Sequence, residues 1–107
     1  MTAYIAGPIT KRLNTYQYAF ADAEMVLNYL GYKVLNPAWL PKGLKDEDYQ
    51  RIDDAMLQTA DVVVLLKGWE RSKGARREAR LAEQLGKKLI EYEQIDIRVE
   101  KKVEEAA

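Results

Sequence analysis

Five consecutive aliphatic residues, Val62-Val63-Val64-Leu65-Leu66, stand between Asp61 and Lys67 and restrict the folds open to this chain more than any other segment. Successive side chains of a strand point to opposite faces, so a run without polar alternation must be buried on both. A central strand of a sheet covered on two sides meets that requirement. Such sheets are built from parallel strands joined by right-handed helical crossovers.

The rest of the chain supplies the matching parts. Ala3-Tyr4-Ile5-Ala6 has no polar face and ends at Gly7-Pro8, which reads as another buried strand, with Tyr4 belonging to the sheet. From about Thr15 to Leu30, Ala19, Phe20, Ala23, Val26, Leu27 and Leu30 recur at helical spacing, and Gly31 marks the stop. Tyr32 to Leu35 gives a second strand closed by Asn36-Pro37, and the prolines and glycine of residues 37–43 impose a loop. A second helix is expected from an Asp46 N-cap to Thr59, with Tyr49, Ile52, Met56 and Ala60 as its apolar stripe. Ser72 caps a third helix reaching about Leu85 before Gly86, and Lys88 to Tyr92 forms a fourth strand. Beyond Glu93 two patterns compete. Ile95, Ile97 and Val99 alternate as in a strand, whereas Ile95, Val99 and Val103 share a helix face, so short extended structure followed by helix is expected. The whole reads as one α/β domain over residues 1–107, with a parallel sheet of four to five strands in the order 2-1-3-4.

Composition narrows the chemistry. The 107 residues include 17 Lys+Arg, 17 Asp+Glu, and neither His nor Cys. Imidazole and thiolate nucleophiles, thiolate metal sites and disulfides are therefore excluded, leaving carboxylates, hydroxyls and backbone amides. No cofactor or metal is expected. Zero formal charge argues against a nucleic-acid polymer as partner, which calls for a basic excess. No apolar run approaches a membrane span and the first residues lack a signal pattern, so a cytoplasmic protein without membrane contact is expected. A chain of this size buries about two-thirds of its unfolded surface, enough for one core, and a deep pocket calls for a partner subunit.

In a doubly wound sheet ligands bind beyond the carboxyl ends of the strands. That rule selects Gly7-Pro8-Ile9-Thr10, Asn36 to Pro41, and Lys67-Gly68-Trp69-Glu70 leading to Ser72. Helical phase adds two carboxylates. Glu78 interrupts the stripe Ala75, Ala82, Leu85 of the third helix, and Asp53 joins Tyr49, Met56 and Ala60 on the second, while Asp54 points elsewhere. An unpaired buried charge is costly, so inward carboxylates either do acid-base or nucleophilic work or pair with an arginine or a loop. Ser72-Lys73-Gly74 offers a hydroxyl and helix N-terminal amides to a phosphate or sugar. Residues 67–80 carry six cations against Glu70 and Glu78, which reads as a solvated face or a phosphate contact. Neither the dinucleotide GxGxxG nor the P-loop pattern follows the first strand. Trp39, Trp69 and Tyr49 either stack on a base or pack in the protein, and Asn36 either bonds a sugar or holds its own turn.

Taken together, Tyr4-Ile5-Ala6-Gly7-Pro8-Ile9-Thr10, Gly31-Tyr32 with Asn36-Pro37-Ala38, Ala60-Asp61-Val62-Val63-Val64-Leu65-Leu66 with Gly68-Trp69-Glu70, and Ser72-x-Gly74-Ala75-x-x-Glu78 resemble the nucleoside 2-deoxyribosyltransferase-like superfamily. More narrowly, the pattern is similar to a small domain family of unknown function, frequent in phages and bacteria, within it. The resemblance spans about residues 3–92. It implies a flavodoxin-like three-layer sandwich and cleavage or transfer at the N-glycosidic bond of a deoxynucleoside or its 5'-monophosphate. Glu78 matches the superfamily's nucleophile, with Ser72 and Gly74 ahead of it holding sugar or phosphate. Asp53, eight residues before Asp61, matches the aspartate that handles the base. Gly7, Pro8, Ile9, Asn36 and Trp69 complete the expected substrate-binding set, and a homodimer or larger homo-oligomer closes the pocket. The alternatives are a non-catalytic nucleotide-binding or sensing module of the same fold and a plain oligomerisation domain.

Overall fold

The computed structural model describes residues 1–9 and 16–95, so Thr10 of the first loop and the tail positions Ile97, Val99 and Val103 lie outside the described residues. Four strands, β1 (Thr2–Ala6), β2 (Lys33–Leu35), β3 (Val62–Leu65) and β4 (Lys88–Glu91), form a sheet in the order β2-β1-β3-β4. Every pairing is parallel, with Tyr4 opposite both Leu35 and Val63. Helices α1 (Tyr16–Tyr29), α2 (Asp46–Thr59) and α3 (Lys73–Gln84) make the crossovers. The order is the flavodoxin-like doubly wound arrangement expected from the alternation of elements.

The unbroken apolar run of β3 is explained by two cores. Ala3, Ile5, Val62 and Val64 pack under Phe20, Ala23 and Leu27 of α1. Tyr4, Ala6, Val63 and Leu65 face the other way, against Leu57, Ala79 and Ala82 of α2 and α3. The three layers are therefore α1, sheet, and the α2/α3 pair.

Local signals end two helices as expected. Gly31 and Gly86 adopt left-handed backbone (φ +97° and +70°), and the amides of Tyr32 and Lys87 return to the carbonyls of Leu27 and Ala82 at 3.0 and 2.9 Å. Ser72 caps α3, its Oγ accepting from the Ala75 amide at 3.2 Å.

Several positions differ from expectation. Asp46 is the first residue of α2, not its N-cap; Lys45 occupies the cap without a side-chain bond, and Asp46, Glu47 and Asp48 place three acids in the first turn, where the helix dipole favours them. The helix is also rotated relative to the expected stripe: Leu57 is fully buried whereas Ile52 is 36% exposed. Packing against both the sheet and α3 selects the row through Asp53, Leu57 and Ala60. On α1, Ala19 is exposed, and Leu85 lies past α3 and is largely exposed. Tyr92 begins a short 3-10 turn, Tyr92–Gln94, instead of extending β4. Among the described residues no helix is long and apolar enough to cross a membrane.

Candidate active site

The loops after β1 and β3 meet at the carboxyl edge of the sheet. The Leu66 amide bonds the Ala6 carbonyl at 2.8 Å, and a Cβ built on Gly68 would lie 3.4 Å from Pro8 Cγ. Gly7 is buried here for a reason of packing: a Cβ on it would stand 2.9 Å from Leu66 Cβ. Gly7→Ala should therefore lower stability by about 1–3 kcal/mol, since relief demands movement of a buried leucine or of backbone. Urea unfolding checks this, and an unchanged midpoint would show that the contact relaxes freely.

Below this edge, in the layer between the sheet and the α2/α3 pair, Glu78 is 7% exposed and Tyr4 is fully buried. The Tyr4 hydroxyl donates to Glu78 Oε2 at 2.6 Å, joining β1 to α3 across 74 residues. A buried tyrosine hydroxyl needs a partner and a buried carboxylate needs a donor, so each satisfies the other. Asp53 reaches the same region from α2. Its Oδ1 is buried and, among the described residues, has no hydrogen-bond partner. Beside it Asp54, expected to point elsewhere, turns toward α3 and takes a two-pronged bridge from Arg77 at 2.8 and 3.3 Å.

Electrostatics follow from this burial. Desolvation pushes the Glu78 carboxyl up to about 7; the Tyr4 bond opposes that rise, the Asp53 charge adds to it, and Arg77 offsets part. Asp53 is pushed up to about 6, again first by burial, with Arg77 lowering it and Asp54 raising it. Burial and the Glu78 charge hold the Tyr4 phenol well above its ordinary value. The two carboxyls titrate near neutrality with Asp53 the more acidic, so a single proton shared between them rests more often on Glu78 than on Asp53.

The other expected substrate contacts are distributed differently. Asn36 holds its own turn: its Oδ1 accepts from the Ala38 amide at 3.0 Å, and its Nδ2 donates to the Phe20 carbonyl and to Glu24, at 3.3 and 3.1 Å. That places it with α1, in the layer opposite Glu78. Trp39 is 60% exposed and donates to the same glutamate at 3.0 Å. Trp69 packs at the edge of the α2/α3 core and donates to Glu91 at 3.3 Å. Tyr49 is engaged in its loop, donating to the Pro41 carbonyl at 2.6 Å. Ile9 is 42% exposed at the carboxyl edge, and Gly74 is exposed in the first turn of α3, close to Ser72. Within the basic segment, Arg76 donates to the Glu70 carbonyl at 2.8 Å and Arg77 is committed to Asp54. Among the described residues no group of three acidic, His or Cys side chains is arranged to hold a metal ion. Helical phase alone marks Glu78 and Asp53 as facing inward, whereas the only sequence signal of Tyr4 is a hydroxyl inside an otherwise apolar strand.

Comparison with known proteins places this geometry in context. No curated protein sequence matches the chain. Among solved structures it is similar to the 2-deoxyribosyltransferase of the psychrotolerant bacterium Bacillus psychrosaccharolyticus, with a TM-score of 0.64 and 20% identity over 85% of this chain and 71% of that one. It is also similar to BlsM, with a TM-score of 0.61 and 20% identity over 94% and 85% of the two chains. At that identity the likeness is one of fold. The domain of unknown function DUF4406 matches residues 1–91, a span that contains all four strands and both inward carboxylates. The chain thus belongs to the DUF4406 family, built on a nucleoside 2-deoxyribosyltransferase-like fold.

Proposed function

We propose that the protein cleaves or transfers the N-glycosidic bond of a 2'-deoxynucleoside or its 5'-monophosphate, with Glu78 as nucleophile and Asp53 as the acid facing the base. The observation that carries this reading is the Tyr4–Glu78 bond of 2.6 Å inside a layer that also holds the unpartnered Asp53 oxygen. In the first step, from the less populated form in which Asp53 holds the shared proton and Glu78 is ionised, a Glu78 carboxylate oxygen attacks C1' and the C1'–N bond breaks. Its electron pair goes to the departing base, which takes a proton from Asp53. In the second step water or another base attacks C1', the ester C–O bond breaks to restore Glu78, and Asp53 recovers the proton. Two displacements give net retention at C1'. The fold shared with a 2-deoxyribosyltransferase supports the substrate class.

Ser72, Gly74 and the neighbouring cations are proposed to receive the 5' end of the substrate, with Gly7, Pro8, Ile9 and Trp69 bordering the sugar and base. A second copy of the chain closes the pocket. Incubation with deoxynucleosides and their monophosphates, with and without an acceptor base, should release free base or yield exchanged nucleoside. If no turnover occurs and a deoxynucleotide still raises the melting temperature, the non-catalytic binding module replaces the enzyme. Equal affinity for a nucleoside and its monophosphate would remove the phosphate role.

Tyr4→Phe tests the hydroxyl. Loss of a charge-assisted bond of about 1.5–3 kcal/mol should slow turnover roughly tenfold to hundredfold, and the acid limb of the rate profile should move to higher pH, because the lost donor had favoured ionised Glu78. An unmoved acid limb would separate Tyr4 from the nucleophile.

A further inference from the structure

The Arg77–Asp54 bridge takes no part in the scheme above, yet each of its residues is the chain neighbour of a reacting carboxylate. Asp54 follows Asp53 on α2, and Arg77 precedes Glu78 on α3. Both terminal nitrogens of Arg77 are spent on the two oxygens of Asp54, and among the described residues Asp54 is the ion-pair partner of this guanidinium. The side chains are 34% and 30% exposed, so the bridge lies at the margin of the buried layer and not in bulk water. A fork-to-carboxylate pair of this kind fixes direction as well as distance.

We propose that Asp54 is a positioning residue that withholds Arg77 from Asp53 and Glu78, so that the guanidinium serves both carboxylates as a nearby, unbonded countercharge. This rests on the reading of Glu78 and Asp53 as the reacting pair. A guanidinium free to bond Glu78 would occupy the lone pairs that must attack C1' and hold the carboxylate in a low-energy ion pair. A site without the cation would leave a smaller fraction of both buried carboxyls ionised at neutral pH and so weaken the nucleophile. The bridge sets the balance between these extremes. The charged and titratable groups that act on Glu78 are Tyr4 from β1, Asp53 and Asp54 from α2, and Arg77 from α3 itself; Arg77 and Asp54 act on Asp53.

The two halves of the bridge therefore have opposite signs, which a purely mechanical tie between helices would not. Carboxyl-carbon NMR of the full chain, with the Glu78 signal assigned by its loss in Glu78→Gln, reads the titration directly. Arg77→Gln should raise the Glu78 midpoint by about one pH unit, and Asp54→Asn, which removes an anion and frees Arg77, should lower it by about the same amount. Arg77→Lys keeps the charge and should stay close to the wild-type midpoint. Shifts of the same direction in Arg77→Gln and Asp54→Asn, no shift in either, or a lysine variant that follows the glutamine variant would overturn the proposal. The measurement needs no turnover. Opposite shifts in a protein inert toward every deoxynucleoside and monophosphate would sink the catalytic reading and keep the electrostatic one; turnover without opposite shifts would do the reverse.

Discussion

Glu78→Ala is expected to cut N-glycosidic cleavage by on the order of 10³-fold or more, the scale of effect seen when a covalent nucleophile is removed. Alanine also leaves the fully buried Tyr4 hydroxyl without its acceptor, at a cost of about 1–3 kcal/mol, so its loss of activity is mixed with loss of structure. Glu78→Gln separates the two. Its amide oxygen still accepts from Tyr4 while the attacking carboxylate is gone, so the variant should fold, bind a deoxynucleoside and fail to turn it over. Glu78→Asp retains the charge but draws it back by one methylene, and a misplacement of about 1 Å should cost on the order of 10²-fold. Product formation by chromatography, together with near-ultraviolet circular dichroism of each variant, is the measurement. A wild-type enzyme that turns over and a glutamine variant that matches its rate would exclude Glu78 as nucleophile.

The same glutamine variant should be more stable than the wild type above neutrality. The Glu78 carboxyl is raised in the folded protein from an ordinary 4.5 to about 7, mainly by burial, so the folded state binds this proton more tightly than the unfolded chain. Below pH 4.5 both states are protonated and the group costs nothing. Between 4.5 and about 7 the unfolded chain releases the proton and the folded one keeps it, and stability falls by about 1.4 kcal/mol per pH unit. Above 7 both are ionised and the loss levels off near 3 kcal/mol. Asp53, raised from 3.8 to about 6, acts in the same direction over the lower window, weakened by solvent screening. Urea unfolding at intervals from pH 4 to 8 should show the wild type losing stability through this range and Glu78→Gln losing distinctly less. Parallel curves would mean that Glu78 is not the buried titrating group. A loss of stability from keeping an ionisable group out of water is the trade-off that the proposed role of Glu78 entails.

Some of this protein is written locally in its sequence. The run from Val62 to Leu66 has to be central because no polar face exists to meet solvent, and alternate residues do pack under α1 and under the α2/α3 pair. The ends of α1 and α3 follow from backbone sterics at Gly31 and Gly86, and the start of α3 from one hydroxyl at Ser72. Glu78 and Asp53 were visible because a carboxylate on an apolar stripe contradicts its own helix. These signals depend on residues within a turn or two of each other. What depends on the identity of a distant neighbour was settled by tertiary packing alone. Leu57 and not Ile52 is buried because α2 rests on both the sheet and α3. Asn36 could serve a sugar or its own turn until α1 supplied Phe20 and Glu24 as acceptors. Gly7 answers to Leu66, Asp54 to Arg77 and Glu78 to Tyr4, and each partner lies far along the chain. Periodicity tells a helix which face is apolar; only docking tells it which rotation about that face brings its polar groups within bonding distance.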